Sequence, residues 1–334
     1  MARRKLNKRQ RGRIARIQEE RRRTATQRAE SAFEHSDPGI QLQGRVVVRH
    51  GRNLVVRDSS GRNIHCLFRQ NLGEIVCGDR VLWQQIEGGE GVVVALLERT
   101  GTLSRPDYSG RDKPIAANIT QLVVVLAPRP EPSGYLLDQY LVAAEHIGIK
   151  GAICLNKADL LHESEQKSFR DRFAHYEKIG YPVIQVSAKK EHGLDPLLEL
   201  LKNDVSILVG QSGVGKSSLI NTLLPAHELL EGALSDATGL GKHTTSAATL
   251  YPLDSGGEII DSPGVRSFRL GELDRSELED GFPELRGLRG QCRFSNCSHQ
   301  QEPDCAVKRA LAEGSIHPDR LASFQHLAAG LAQR

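Results

Sequence analysis

The chain has 334 residues, of which 39% are hydrophobic, enough to bury a sizeable core in two or three domains. Its longest apolar runs, such as 122–127, are strand length and far short of the roughly 20 residues a membrane helix needs. The first apolar residues stand singly among arginines, so no secretory leader is expected and a cytoplasmic location is.

The net charge of +4 is unevenly spread. Residues 1–30 hold twelve arginines and lysines against three glutamates, which leaves an acidic body behind a basic tail. Residues 1–38 therefore read as a flexible extension suited to a polyanion, with a plain solubilising tail as the alternative. After the Ser36-Asp37-Pro38-Gly39 break the text changes to short β-branched runs separated by turn residues. About five strands in some sixty residues predict a small closed barrel over 39–105, of OB type or SH3-like. Its aromatics are Phe68 and Trp83, while Arg45, Arg49, Arg52, Arg57, Arg62 and Arg69 offer phosphate contacts to structured RNA.

Over 112–270 apolar strands alternate with amphipathic helices. Strands are expected at 119–127, 151–155, 182–187, 205–209 and 258–260, and helices at 135–147, 163–179, 194–201 and 218–224. That alternation predicts an α/β fold with a mostly parallel sheet covered on both faces. Residues 271–334 read as helical around a cysteine cluster.

Gly210-Gln211-Ser212-Gly213-Val214-Gly215-Lys216-Ser217 satisfies G-x-x-x-x-G-K-[ST] between a strand and a helix. The glycines let backbone N–H groups surround phosphates at a helix N-terminus. Lys216 is placed for the β- and γ-phosphates and Ser217 for Mg²⁺. Asn156-Lys157-Ala158-Asp159 follows the strand 151–155. Guanine presents two adjacent donors that the Asp159 carboxylate can accept together, and adenine lacks that pair, so the loop selects GTP or GDP. Ser187-Ala188-Lys189 after the next strand adds a backbone donor for guanine O6.

Asp261-Ser262-Pro263-Gly264 ends the strand at 258–260, its aspartate on Mg²⁺ through water and its glycine sensing the γ-phosphate. In the intervening Gly239-Leu240-Gly241-Lys242-His243-Thr244-Thr245, Thr245 is the first choice to complete the Mg²⁺ shell, with Thr244 as alternative. Position 265, where many GTPases keep a water-orienting glutamine, is valine. Slow unaided turnover is expected, and His243 is the candidate replacement.

Cys292-x4-Cys297-x-His299-x5-Cys305 supplies a complete tetrahedral set for zinc with no position left for water, so a structural site is expected. Cys66, Cys77 and Cys154 stand singly in apolar text and read as core residues.

Ordinary GTPases run phosphate loop, switch threonine, D-x-x-G, N-K-x-D, S-A-K. Here the same set begins at 156–159 and ends at 261–264. With this order, the β-rich front and the cysteine-rich end, the chain resembles the RsgA (YjeQ) family of circularly permuted GTPases. The resemblance rests most on 210–218, which includes Ser218, on 239–245, on 261–264 and on the cysteine cluster. It implies an OB domain, a permuted GTPase domain and a zinc domain. It also implies catalysis involving His243, and hydrolysis stimulated by the small ribosomal subunit late in its assembly, with ribosomal RNA as a partner. No heptad pattern asks for a dimer, so a monomer is expected. Two rival readings are a regulatory GTPase with a protein partner and an RNA-binding scaffold that uses GTP structurally.

Overall fold

Val, Ile and Leu alternate with polar residues through β1 (Leu42–His50), β2 (Asn53–Asp58), β3 (Asn63–Phe68), β4 (Arg80–Gln85) and β5 (Gly91–Leu96). The inward set, including Val46, Leu54, Val56, Cys66, Phe68, Val81, Trp83 and Val93, forms one buried cluster. The computed structural model describes residues 40–331 apart from 52, 69–71, 87, 107–111, 225–246 and 263–272. β1 pairs antiparallel with both β2 and β4, and β3 runs parallel to β5, so the strands close in the order 1-2-3-5-4-1. That closure is the OB arrangement and not the SH3-like one. Both aromatics are barrel core, not stacking platforms.

β6 (Thr102–Pro106) and β7 (Asp112–Ala117) form a two-stranded ribbon between the barrel and the α/β core. The sequence pattern does not flag it, and the expected domain limits at 105 and 112 fall inside its strands.

The core strands are β8 (Gln121–Leu126), β9 (Lys150–Leu155), β10 (Val183–Gln185), β11 (Val205–Val209), β12 (Thr249–Pro252) and β13 (Glu258–Asp261). They lie in the order β10-β9-β8-β11-β13-β12 and are parallel except for β12. Helices α1 (Gly134–Ile147), α2 (Glu163–Asp171), α3 (Ala174–Lys178), α4 (Leu194–Leu201) and α5 (Lys216–Leu223) cover the sheet, with one apolar cluster on each face. β12 is not legible in the sequence because four residues ending in proline carry little strand signal. It pairs with β1 through Val48 and Thr249, joining barrel and GTPase core in one eleven-stranded sheet.

The single helix expected at 163–179 is two. At Phe173 the backbone leaves helical space (φ −107°, ψ 2°), so that Phe169, Phe173 and Tyr176 all turn into the core. The Phe169 and Phe173 rings meet edge to face at 5.5 Å, and burying both outweighs one continuous helix.

The C-terminal module contains α6 (Arg275–Asp280), α7 (Pro283–Arg286), α8 (Ala306–Ala312) and α9 (Pro318–Leu331). Asp274 and Glu277 start α6 with reciprocal capping bonds of 2.8 Å. The module's apolar core incorporates Val142 and Ala143 of α1, so it is seated on the GTPase core. Among the described residues no helix is long and apolar enough to cross a membrane.

Candidate nucleotide site and metal centre

β11 is buried at every residue and delivers the chain into the phosphate loop. Gly210 (φ 136°) lies so close to β8 that a Cβ would sit 2.3 Å from the Val125 carbonyl oxygen. At Gly215 (φ 94°) a Cβ would sit 2.5 Å from the Asn156 amide. Only glycine suits these two positions. Val214 between them is fully buried and pins the loop, while Ser212 and Gly213 stand exposed. Lys216 opens α5 and donates to the Gly210 and Gln211 carbonyls, each at 2.7 Å, which holds its ammonium inside the loop. Ser217 and Ser218 are exposed in the first turn of α5, where the helix dipole favours anions.

Asn156 joins three segments. Its amide nitrogen donates to the Val214 and Gly215 carbonyls at 3.0 and 3.4 Å, and its Oδ1 accepts from the Ala188 N–H at 3.3 Å. Asp159 Oδ1 accepts from the Ser187 hydroxyl at 2.6 Å, and the Ala158 N–H donates to Val186 O at 3.1 Å. Lys157 takes a left-handed backbone (φ 61°) and reaches Gly213 O at 2.5 Å, so its stem lies along the loop. Together Asn156, Lys157, Asp159, Ala188, Lys189, Gly215 and Ser218 border a cavity of about 550 Å³. A carboxylate at its wall and an ammonium-lined phosphate loop at its mouth suit a guanine nucleotide.

β13 runs parallel to β11 with Ile260 opposite Ile207, so Asp261 reaches the same end of the sheet as the phosphate loop. His243, Thr244, Thr245, Gly264 and Val265 lie outside the described residues.

In the C-terminal module the ligand atoms of Cys292, Cys297, His299 and Cys305 all fall within 4.8 Å of one another. Cys292 Sγ is 3.8 Å from Cys305 Sγ, and His299 Nδ1 is 3.3 Å from Cys305 Sγ and 3.6 Å from Cys292 Sγ. Zn–S bonds of about 2.3 Å in a tetrahedron place sulfurs roughly 3.8 Å apart, so the four residues fit zinc. His299 turns Nε2 towards Glu279 Oε1 at 3.4 Å, which fixes Nδ1 as the ligand atom. The remaining thiols are of another kind: burial pushes Cys66 and Cys154 up to about 12 and raises Cys77 as well, leaving all three inert core groups.

The family model described as RsgA GTPase matches residues 96–271, more than half of the chain. The chain belongs to the RsgA GTPase family. It is 46% identical to the protein named small ribosomal subunit biogenesis GTPase RsgA of Azotobacter vinelandii, over 99% of this chain and 98% of that one. The protein of the same name from Pseudomonas aeruginosa PAO1 is also 46% identical, over 99% of this chain and 98% of its own. Among solved structures, YjeQ from Thermotoga maritima superposes with a TM-score of 0.74 at 33% identity, covering 88% of this chain and 100% of that one. YloQ, described as a circularly permuted GTPase, gives a TM-score of 0.72 at 28% identity, covering 90% and 98%. This RsgA-family chain is accordingly a permuted GTP hydrolase with a barrel before the catalytic domain and a helical, cysteine-bearing module after it.

Three residues that the motifs do not single out also border the base cavity of this RsgA-family chain: Leu160, Asn221 and Thr222. Asn221 and Thr222 lie three and four positions beyond Ser218 on α5, so helical spacing from the phosphate loop could have found them. Leu160, 54% exposed, carries no signal in the text. The barrel arginines differ from expectation. Arg45 and Arg57 pair with Glu258 of β13, Arg62 pairs with Asp58, and Arg49 donates to Ile75 O at 2.6 Å with its guanidinium 5.1 Å from the Phe68 ring centre. These four are engaged within the molecule and do not form a free phosphate-binding row; Arg52 and Arg69 lie outside the described residues.

Proposed function

We propose that the chain is a small ribosomal subunit biogenesis GTPase whose hydrolysis of GTP to GDP and phosphate is stimulated by that subunit. The observation that carries the reading is the Asn156 side chain, which binds the N-K-x-D turn to the phosphate loop and to Ala188 in one cavity. Relatives of full matching length bear that biogenesis name.

In this reading Asp159, held by Ser187, accepts the two guanine donors, and the Lys157 stem covers the base. Ala158 and Lys189 shape the base loops, with Ala188 offering its N–H at the cavity wall. Gly210, Gln211, Ser212, Gly213, Val214 and Gly215 wrap the phosphates, Lys216 neutralises their charge, and Ser218 adds a first-turn donor. Ser217 and Thr245 hold the magnesium ion that accompanies the nucleotide and offsets charge on its phosphates. Asp261 steadies that ion through water, and the Gly264 N–H reads the γ-phosphate. His243 orients the attacking water once the particle orders its loop, since Val265 cannot. The protein acts as a monomer in the cytoplasm, its basic tail of residues 1–38 resting on ribosomal RNA.

The test is GTP turnover of the purified chain alone, with small subunits and with large subunits. Stimulation by small subunits alone is expected, and His243→Ala should abolish that stimulation. Turnover indifferent to both particles would remove the ribosome as activator. Deleting residues 1–30 should weaken particle binding and flatten its salt dependence while unstimulated hydrolysis persists.

A further inference from the structure

Helix α1 has two faces with different neighbours. Leu137, Tyr140, Leu141 and Ala144 pack into the sheet, whereas Val142 and Ala143 belong to the core of the C-terminal module. On the module side Asp138 is fully buried and accepts from Arg320 Nη1 at 2.6 Å and from the Tyr176 hydroxyl at 2.7 Å. Arg320, 1% exposed and 182 residues distant in sequence, also holds both oxygens of Glu284 at 2.6 and 3.0 Å. Its guanidinium lies 4.4 Å from the centre of the Phe282 ring. Separating such a buried pair would strand charge in an apolar interface, so the module has one well-defined seat. Outside it, Arg286 reaches Glu145 at 2.7 Å and the Tyr135 and His326 rings meet at 4.4 Å.

Two residues beyond Asp138, Tyr140 faces the sheet. Its hydroxyl is hydrogen-bonded by the backbone amide of Gly210, the first residue of the phosphate loop. Gly210 has no room to shift towards β8, as the Val125 contact shows. The loop that leads into α1 meets the same site, because Arg129 O and Gly213 O both accept from Lys157 Nζ, at 3.5 and 2.5 Å. One rigid helix thus touches the first glycine of the phosphate loop and the buried arginine of the C-terminal module.

We propose that α1 couples the two: the Arg320–Asp138 pair seats the C-terminal module, and Tyr140, as a positioning residue, passes that seating to Gly210 and so sets how long nucleotide is retained. A partner that lifts the module would loosen the phosphate loop, and by reciprocity bound nucleotide would tighten the module. This coupling rests on the proposed nucleotide site but needs no ribosomal partner.

The experiment measures dissociation of a fluorescent GDP analogue from the full-length, zinc-loaded protein by stopped flow. Wild type, Tyr140→Phe, Arg320→Lys and the double variant are compared, with thermal midpoints and zinc content recorded for each. Each single change is expected to speed release on the order of tenfold, within the usual range for coupled sites. The double variant should fall short of the product of the two, because both act through α1. Should Arg320→Lys fold poorly, Arg286→Gln loosens the same seat from its exposed rim and should also speed release. A lowered thermal midpoint with wild-type release rates would make Arg320 merely structural and overturn the proposal, as would fully multiplicative effects. Failure of the wild type to bind the analogue at all would instead sink the nucleotide-site reading on which it stands.

Discussion

Arg45 on the first barrel strand pairs with Glu258 at the head of β13, the strand whose far end is Asp261. Arg57 approaches the other oxygen of the same carboxylate at 3.6 Å. The barrel is therefore fastened to the strand that carries the D-x-x-G aspartate, not only joined to it through the chain. Glu258→Gln should remove one charge from between two partly buried guanidiniums and cost about 1–3 kcal/mol of stability. Urea unfolding with barrel and core probes would read it, and the barrel transition should separate from that of the core. Coincident, unshifted transitions would mean that the pairing contributes nothing.

Asp159→Asn tests the base assignment. An amide cannot accept both guanine donors, and affinity for GTP should fall by about 10²–10⁴. Xanthine carries an oxygen where guanine carries its exocyclic amine, so the asparagine NH₂ should gain binding to xanthosine triphosphate. Competition titrations against a fluorescent nucleotide would show the exchange; equal losses for both nucleotides would point to a collapsed loop.

Metal analysis should find one zinc per chain, removable by a chelator only with loss of C-terminal helix. Cys305→Ser should lower zinc content and melt the helical signal of 306–331, because a small cluster of buried thiols has no comparable substitute for the metal. Circular dichroism with metal quantification reads both. A variant that keeps its helices without zinc would show that packing alone holds the module.

Acid should weaken the seat of the C-terminal module. His175 stacks on His317 at 3.8 Å, and burial, with the His317 and Arg320 charges adding, pushes it down from 6.5 to about 4. Asp319 and Glu284 oppose that shift, and Tyr176 lies against the ring on its other side. The unfolded chain binds the proton more readily, so this contribution is complete above pH 6.5 and lost as pH falls towards 4. Thermal midpoints between pH 7.5 and 4.5 should decline, and His175→Gln should flatten the decline. An unchanged slope in that variant would assign the acid sensitivity to other groups.

By itself the sequence determined the local chemistry. The phosphate loop, the N-K-x-D turn and the cysteine cluster are short segments whose residue types and spacing are dictated by a phosphate, a base edge and a tetrahedral ion. Their order along the chain disclosed the permutation for the same reason. Strand and helix positions in the core came from periodicity, except where local pattern was outweighed: Phe173 breaks a helix to reach the core, and β12 exists because β13 and β1 offer it partners. Only the tertiary structure decided that β3 meets β5 to close the barrel, that Arg45 and Arg57 are taken up by Glu258, and that Arg320 finds Asp138. Such pairings join residues as far as 182 positions apart, in the case of Arg320 and Asp138. Their energy comes from mutual burial, which exists once the chain has folded and leaves no mark on the neighbouring text.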